Sequence, residues 1–129
     1  RFGETLMQST VSEWRAWQAD GGKAACVDCH MPKGAHSFRG AHDRDWLRDS
    51  VRVRAKRRGE RATFAAESIG VGHHLPSGDL FRNITLEVEE GGSWRTIDRM
   101  GREFAVTLNE ETGDATKEVS SDTSLRPGI

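Results

Sequence analysis

The residues best suited to chemistry are Cys26, Cys29 and His30, packed into a run of five. The two cysteines are the only ones in the chain. Cys-x-x-Cys-His is the attachment pattern of a c-type haem. Each thiol adds across one vinyl group of the porphyrin to give a thioether, and the two-residue gap sets the sulfurs at the separation of the two vinyls. The adjacent histidine then falls beneath the iron as its proximal ligand. Three blander readings compete. A thioredoxin-like dithiol follows a strand in a βαβ pattern, and Asp20, Gly21, Gly22 and Lys23 do not make a buried strand. A zinc site needs two further ligands, which His36 and His42 could supply. A structural disulfide is the third. The spacing favours one covalent haem c, and with it a compartment outside the reducing cytosol, either a bacterial or archaeal periplasm or the cell exterior.

An iron held by His30 has a second axial position. His36, His42, His73, His74, Met7 and Met100 are the candidates, since Met31 neighbours the proximal histidine and cannot easily cross to the other face. Five histidines in a chain without tyrosine turn the balance towards ligation. His73 is favoured: Gly72 lets the backbone approach a flat ring, and Pro76 restricts the loop that follows. His42 and His36, then His74, are the alternatives, with methionine the outsider. Two histidines fill both axial sites of a low-spin iron, which suits electron transfer and not catalysis. The alternative is a five-coordinate haem enzyme or gas-sensing module, with His73 and His74 lining a distal pocket as acid/base groups. A third reading is a binding module in which the haem is a structural staple. Arg39, Arg44 or Lys33 could pair with a haem propionate. Trp14, Trp17, Trp46 and Trp94 read as core residues or as packing for the porphyrin.

The elements that must position these groups divide in two. The chain has 129 residues, 35% hydrophobic and 30% charged, and a mean hydropathy of -0.67. A domain of this size has a thin core and gains from a cofactor to pack against. The apolar pattern predicts a helix over 5–19 with Thr5 as cap, ended by Gly21-Gly22, then a haem loop over 23–40 and a helical turn over 41–48. From Val51 the period changes to two. Strands are expected over 51–56 and 62–68, joined as a hairpin, then over 81–88, 94–100 and 104–108, with a short one near 117–119. Gly91-Gly92 and Gly101 read as the turns between them. The expected fold is α+β: a helical haem-binding region over 1–48, then a small antiparallel β-sandwich over 49–129, Ig-like and complete or incomplete. The basic run over 48–61 is either the wet side of the hairpin or a docking patch for an acidic redox partner.

Several classes are excluded. A net charge of -1, from 19 Lys and Arg against 20 Asp and Glu, argues against nucleic acid as a partner. No apolar run reaches the length of a membrane span. No hydrolase triad can be assembled without taking the haem residues, and Glu89-Glu90 and Glu110-Glu111 read as solvated turns. The opening at Arg1 fits a processed protein or a fragment of a longer one.

The segments Ser9-Thr10-Val11-Ser12-Glu13-Trp14, Cys26-Val27-Asp28-Cys29-His30-Met31-Pro32 and His36-Ser37-Phe38-Arg39-Gly40-Ala41-His42 together resemble bacterial multihaem c-type cytochromes. In that family a CxxCHMP site is followed by an HxFxG element. Gly72-His73-His74-Leu75-Pro76-Ser77-Gly78, with Arg82 and an apolar strand after it, is similar to the family's GHxLPTG element at the entry to a β-sandwich. The resemblance covers most of residues 5–128 and aligns His73 with the histidine of that element. It implies partners among redox proteins, other cytochromes or subunits of a larger complex. Two departures stand out. The family carries several haems, whereas this chain has one motif. Asp122-Thr123-Ser124-Leu125-Arg126-Pro127-Gly128 resembles a mid-sandwich segment before further strands, which leaves an open sheet edge through which an oligomer or filament could form.

Overall fold

The computed structural model describes residues 5–128, so the first four residues of the expected haem-binding region and the last residue of the chain lie outside the described residues. The described chain is mostly β with short helices. The helices are α1 (Thr10–Ala19), α2 (Cys26–His30) and α3 (Arg44–Ser50), with a 3-10 turn at Pro32–Gly34. The strands are β1 (Val51–Arg58), β2 (Arg61–Ser68), β3 (Asn83–Glu90), β4 (Ser93–Leu108) and β5 (Ala115–Asp122). They form two antiparallel sheets, β1-β2 and β3-β4-β5, an arrangement within the α+β class. No described helix is long and apolar enough to cross a membrane.

The chain groups into two units. One runs from residue 12 to 74 and takes in the close of the chain from 126; the other holds 75–125 and the residues up to 11. The hairpin β1-β2, read from sequence with the later strands, groups with the helical segment.

In the first unit, α1 stops at Gly21, whose φ of 109 is open to glycine and few other residues. The amides of Gly21 and Gly22 return to the carbonyls of Gln18 and Trp17, closing the last turn. The helix begins at Thr10 and not at Thr5. The residues before it are drawn instead into the second unit, where Ser9 Oγ accepts a hydrogen bond from Arg102 Nη1 at 2.7 Å. Helix α3 is capped by Asp43, whose carboxylate accepts the Trp46 amide at 3.0 Å, and runs straight into β1. The β1-β2 hairpin pairs in unbroken register from Val51 with Ser68 to Arg58 with Arg61. Its two-residue turn uses Gly59 at φ 60.

In the second unit, β3 shows the expected alternation: Ile84, Leu86 and Val88 are half-buried, while Asn83, Thr85 and Glu87 are exposed. Gly91 and Gly92 both take positive φ and turn the chain into β4. The two strands expected on either side of Gly101 are one 16-residue strand. Gly101 sits opposite Asn83 in the ladder, and a Cβ there would lie 3.0 Å from the Arg82 carbonyl oxygen. It is a close-approach glycine and not a turn glycine. Strand β4 pairs with β3 up to Gly101 and with β5 from Arg102 onward. The core is thin. Met100 is the one buried apolar residue among those described, and Glu13, Ser68 and Ser124 are buried polar residues.

Candidate functional site

The chemistry-bearing residues of the first unit converge on His30. It closes α2, and its Nδ1 lies 2.6 Å from the Arg39 carbonyl oxygen. A carbonyl can only accept, so Nδ1 carries the proton and Nε2 keeps its lone pair. The Arg39 amide returns a bond to the His30 carbonyl at 3.2 Å, so the two residues hold one another reciprocally. Phe38 stacks on the imidazole, with centroids 4.6 Å apart and planes 8° from parallel. Trp46 meets it edge-on at 4.9 Å. Arg39 Nε donates to Asp43 Oδ2 at 2.8 Å, and Asp43 in turn caps the helix that carries Trp46. The guanidinium raises its own proton affinity through that bond. The bond from Arg39, together with the Trp46 amide, holds the Asp43 carboxyl below the usual aspartate range.

His73 carries the same signature. Its Nδ1 lies 2.7 Å from the His74 carbonyl oxygen, to which it again donates, and its Nε2 has no described hydrogen-bond partner. The His30 and His73 rings are 6.2 Å apart between centroids, with planes 5° from parallel. This is wider than the contact His30 makes with Phe38. Two imidazoles on opposite sides of one metal ion, each edge-on with a metal–nitrogen bond of about 2.0 Å and about 1.1 Å more to the ring centre, would have centroids about 6.2 Å apart. The spacing of the pair is of the size that two imidazoles sharing one metal ion would have. The outward hydrogen bond on each is the usual support for a ligating histidine.

Helix α1 holds both histidine-bearing segments. Trp14 Nε1 donates to the Ala24 carbonyl at 3.0 Å, just ahead of α2, and the Ala25 amide donates to Asp28 Oδ2 at 2.7 Å. Glu13, 7% exposed, accepts the His74 amide at 3.1 Å. The flat ring that Gly72 approaches is the Trp17 indole, which a Cβ on Gly72 would meet at 2.8 Å. Sequence reasoning assigned no role to Glu13, and the signal for it was an acid set inside the Trp14/Trp17 stripe. Phe38 was likewise quoted only as part of a motif. Its φ of 35 is the left-handed region, costly for a bulky side chain, and it turns the ring onto His30.

The other candidates lie elsewhere. His36 and His42 are exposed. His74 Nε2 accepts from Arg126 Nη1 at 3.4 Å. Met100 is buried in the second unit. Cys26 is exposed, Cys29 is partly so, and both are free thiols; they stand three apart on α2, with His30 next in sequence, so thiols and imidazole share one side of the helix. Among the described residues no three His, Cys, Asp or Glu side chains gather as a metal cluster. His36 and His42 thus do not join the thiols in a zinc set, whereas a haem iron draws only two ligands from the protein. Comparison of the chain with family models, curated proteins and solved structures returns no match.

Proposed function

We propose that this chain is a c-type cytochrome, carrying one haem c attached through Cys26 and Cys29 with His30 and His73 as axial ligands. Its role is electron transfer in, or as part of, a periplasmic or extracellular cytochrome assembly. The observation that carries this reading is the His30/His73 pair: parallel rings 6.2 Å apart, each with Nδ1 committed to a carbonyl. Haem c supplies a one-electron ferric/ferrous couple when bound. The remaining work belongs to this chain. Cys26 and Cys29 would hold the group through thioether links to its two vinyl substituents. The Arg39 and His74 carbonyls orient the two imidazoles, and Phe38 and Trp46 fix the plane of His30. Two histidines would hold the iron from the protein side, an arrangement that supports an electron carrier over an enzyme. Redox proteins, other cytochromes or subunits of a larger complex are the partners this implies. The kinship we infer is with bacterial multihaem c-type cytochromes, with the later strands belonging to an Ig-like β-sandwich.

The test is production in a bacterial periplasm with cytochrome c maturation, followed by absorption spectroscopy. We expect one haem per chain that survives acid–acetone extraction, a low-spin ferric spectrum, and a ferrous form unchanged by carbon monoxide. A colourless protein with two titratable thiols overturns the proposal. A high-spin form that binds carbon monoxide at once moves the reading to a five-coordinate sensor or enzyme.

A further inference from the structure

The near-zero net charge conceals two strongly charged units. Residues 12–74 and 126–129 hold 13 Lys and Arg against 8 Asp and Glu, a surplus of five; residues 1–11 and 75–125 hold 6 against 12, a deficit of six. Together these account for the chain's 19 basic and 20 acidic residues. The first unit concentrates its basic charge on the β1-β2 hairpin, and the second carries three of its acids in the turn between β4 and β5. On β1-β2 the cross-strand register puts Arg52, Arg54, Lys56, Arg58 and Arg61 on one face with Glu67. Glu67 accepts from Arg52 and Arg54, both at 3.0 Å, which leaves Lys56, Arg58 and Arg61 exposed towards the tip with no carboxylate among the described ion pairs. These three line a groove along the ribbon with Thr63 and Ala65 of the same face, while Ala55 and Phe64 contribute from the other.

The second unit offers the complement. Between β4 and β5 the chain turns through Glu110, Glu111 and Asp114. That turn is held rigid: the Asn109 amide donates to the Asp114 carbonyl and the Gly113 amide to the Asn109 carbonyl, both at 2.8 Å. Asn109 Oδ1 also accepts the Glu111 amide at 2.9 Å. Beside it Phe104, Val106 and Leu108 share a face with Val119. Val106 and Leu108 are 55% and 66% exposed, an apolar strip interrupted by Lys117 opposite Val106 and ending at the acidic turn, complementary in charge at that end to the basic groove.

We propose that the chain associates with itself head to tail, the acidic β4-β5 turn of one copy seating in the basic β1-β2 groove of another. The argument stands on charge and exposure and does not depend on the haem. A second copy is favoured over an extended polyanion such as a membrane or a nucleic acid, because the acidic unit of every molecule would be repelled by one. The contact joins unlike surfaces, so it is heterologous and open to chain growth.

The experiment is sedimentation velocity on the full-length protein across a concentration series, at about 20 mM and about 500 mM salt, which takes the screening length from tens of ångströms to a few. The expected result is a weight-average mass at least twice 14.3 kDa at high concentration in low salt, returning to that value in high salt. The double variants Lys56→Glu with Arg58→Glu, and Glu110→Lys with Glu111→Lys, should each stay monomeric alone and associate when mixed. Circular dichroism verifies that both fold. A single mass of 14.3 kDa at every concentration, association of either variant alone, or failure of the mixture to associate overturns the proposal. So does a wild-type monomer that pellets with phosphatidylglycerol vesicles or shifts duplex DNA.

Discussion

His30 and His73 face one another with parallel rings, and each is anchored by its Nδ1 to a backbone carbonyl. His30 is held by Arg39 across a loop, and His73 by the next residue in its own chain. That leaves Nε2 as the ring nitrogen of each without a described hydrogen bond, and it separates His73 from His74, whose Nε2 accepts from Arg126. His73→Ala is expected to convert the ferrous protein to a form that binds carbon monoxide, while His42→Ala and His36→Ala keep the parent spectrum. Optical titration with carbon monoxide reads this directly. A His42→Ala spectrum that changes while that of His73→Ala does not would assign the distal position to His42.

Phe38 supports His30 at the expense of its own backbone. The stack contributes about 1 kcal/mol, and a side chain in the left-handed region costs about 1–2 kcal/mol. Phe38→Ala loses the stack and keeps the strain; Phe38→Gly loses the stack and relieves the strain. The glycine variant should therefore melt higher than the alanine variant, the reverse of the usual order. Thermal unfolding of the two, followed by circular dichroism, decides it, and an alanine variant that melts at or above the glycine one shows that the φ of 35 carries no strain.

The Asp43 carboxyl sits below the ordinary aspartate range, chiefly through its bond from Arg39 and then through the Trp46 amide. A depressed folded value means that the carboxylate's contribution is fully present above the unfolded value and is lost as pH falls through the folded one. Arg39 is shifted upward, so its contribution persists across the whole alkaline range in which the protein survives. Melting temperature should thus fall as pH drops below about 4. Asp43→Asn, which still caps α3 but carries no charge, should show a shallower fall. Equal slopes for the two proteins would remove Asp43 from the acid response.

What sequence could reveal followed the range of the interaction. The β1-β2 hairpin was legible because alternation and a glycine turn are local, and Cys26, Cys29 and His30 stand out because their spacing is a local motif whose proposed chemistry awaits the spectrum. The ranking of His73 rested on Gly72 and Pro76, yet the ring that Gly72 touches is Trp17, far off in the sequence. Gly101 reads as a turn because glycine between two alternating runs usually is one, and only the cross-strand approach of the Arg82 carbonyl shows otherwise. Thr5 has the chemistry of a helix cap, but the competing bond at Ser9 joins residues no window spans. The charge division between the units disappears in a sum of -1.

Glu13 extends this logic to the ligand itself. A carboxylate only 7% exposed accepts the amide of His74, and the carbonyl of His74 orients His73. Removing the acceptor leaves a shielded N–H unsatisfied, which costs about 1–3 kcal/mol, and frees the peptide whose carbonyl orients the His73 imidazole. Glu13→Ala should therefore lower the melting temperature and, in the haem-loaded protein, raise the fraction that binds carbon monoxide towards that of His73→Ala. Glu13→Gln keeps an oxygen acceptor of the same reach and should retain most of the low-spin spectrum. The paired readout matters, because a role confined to helix packing would move the melting temperature of both variants and leave carbon monoxide binding untouched.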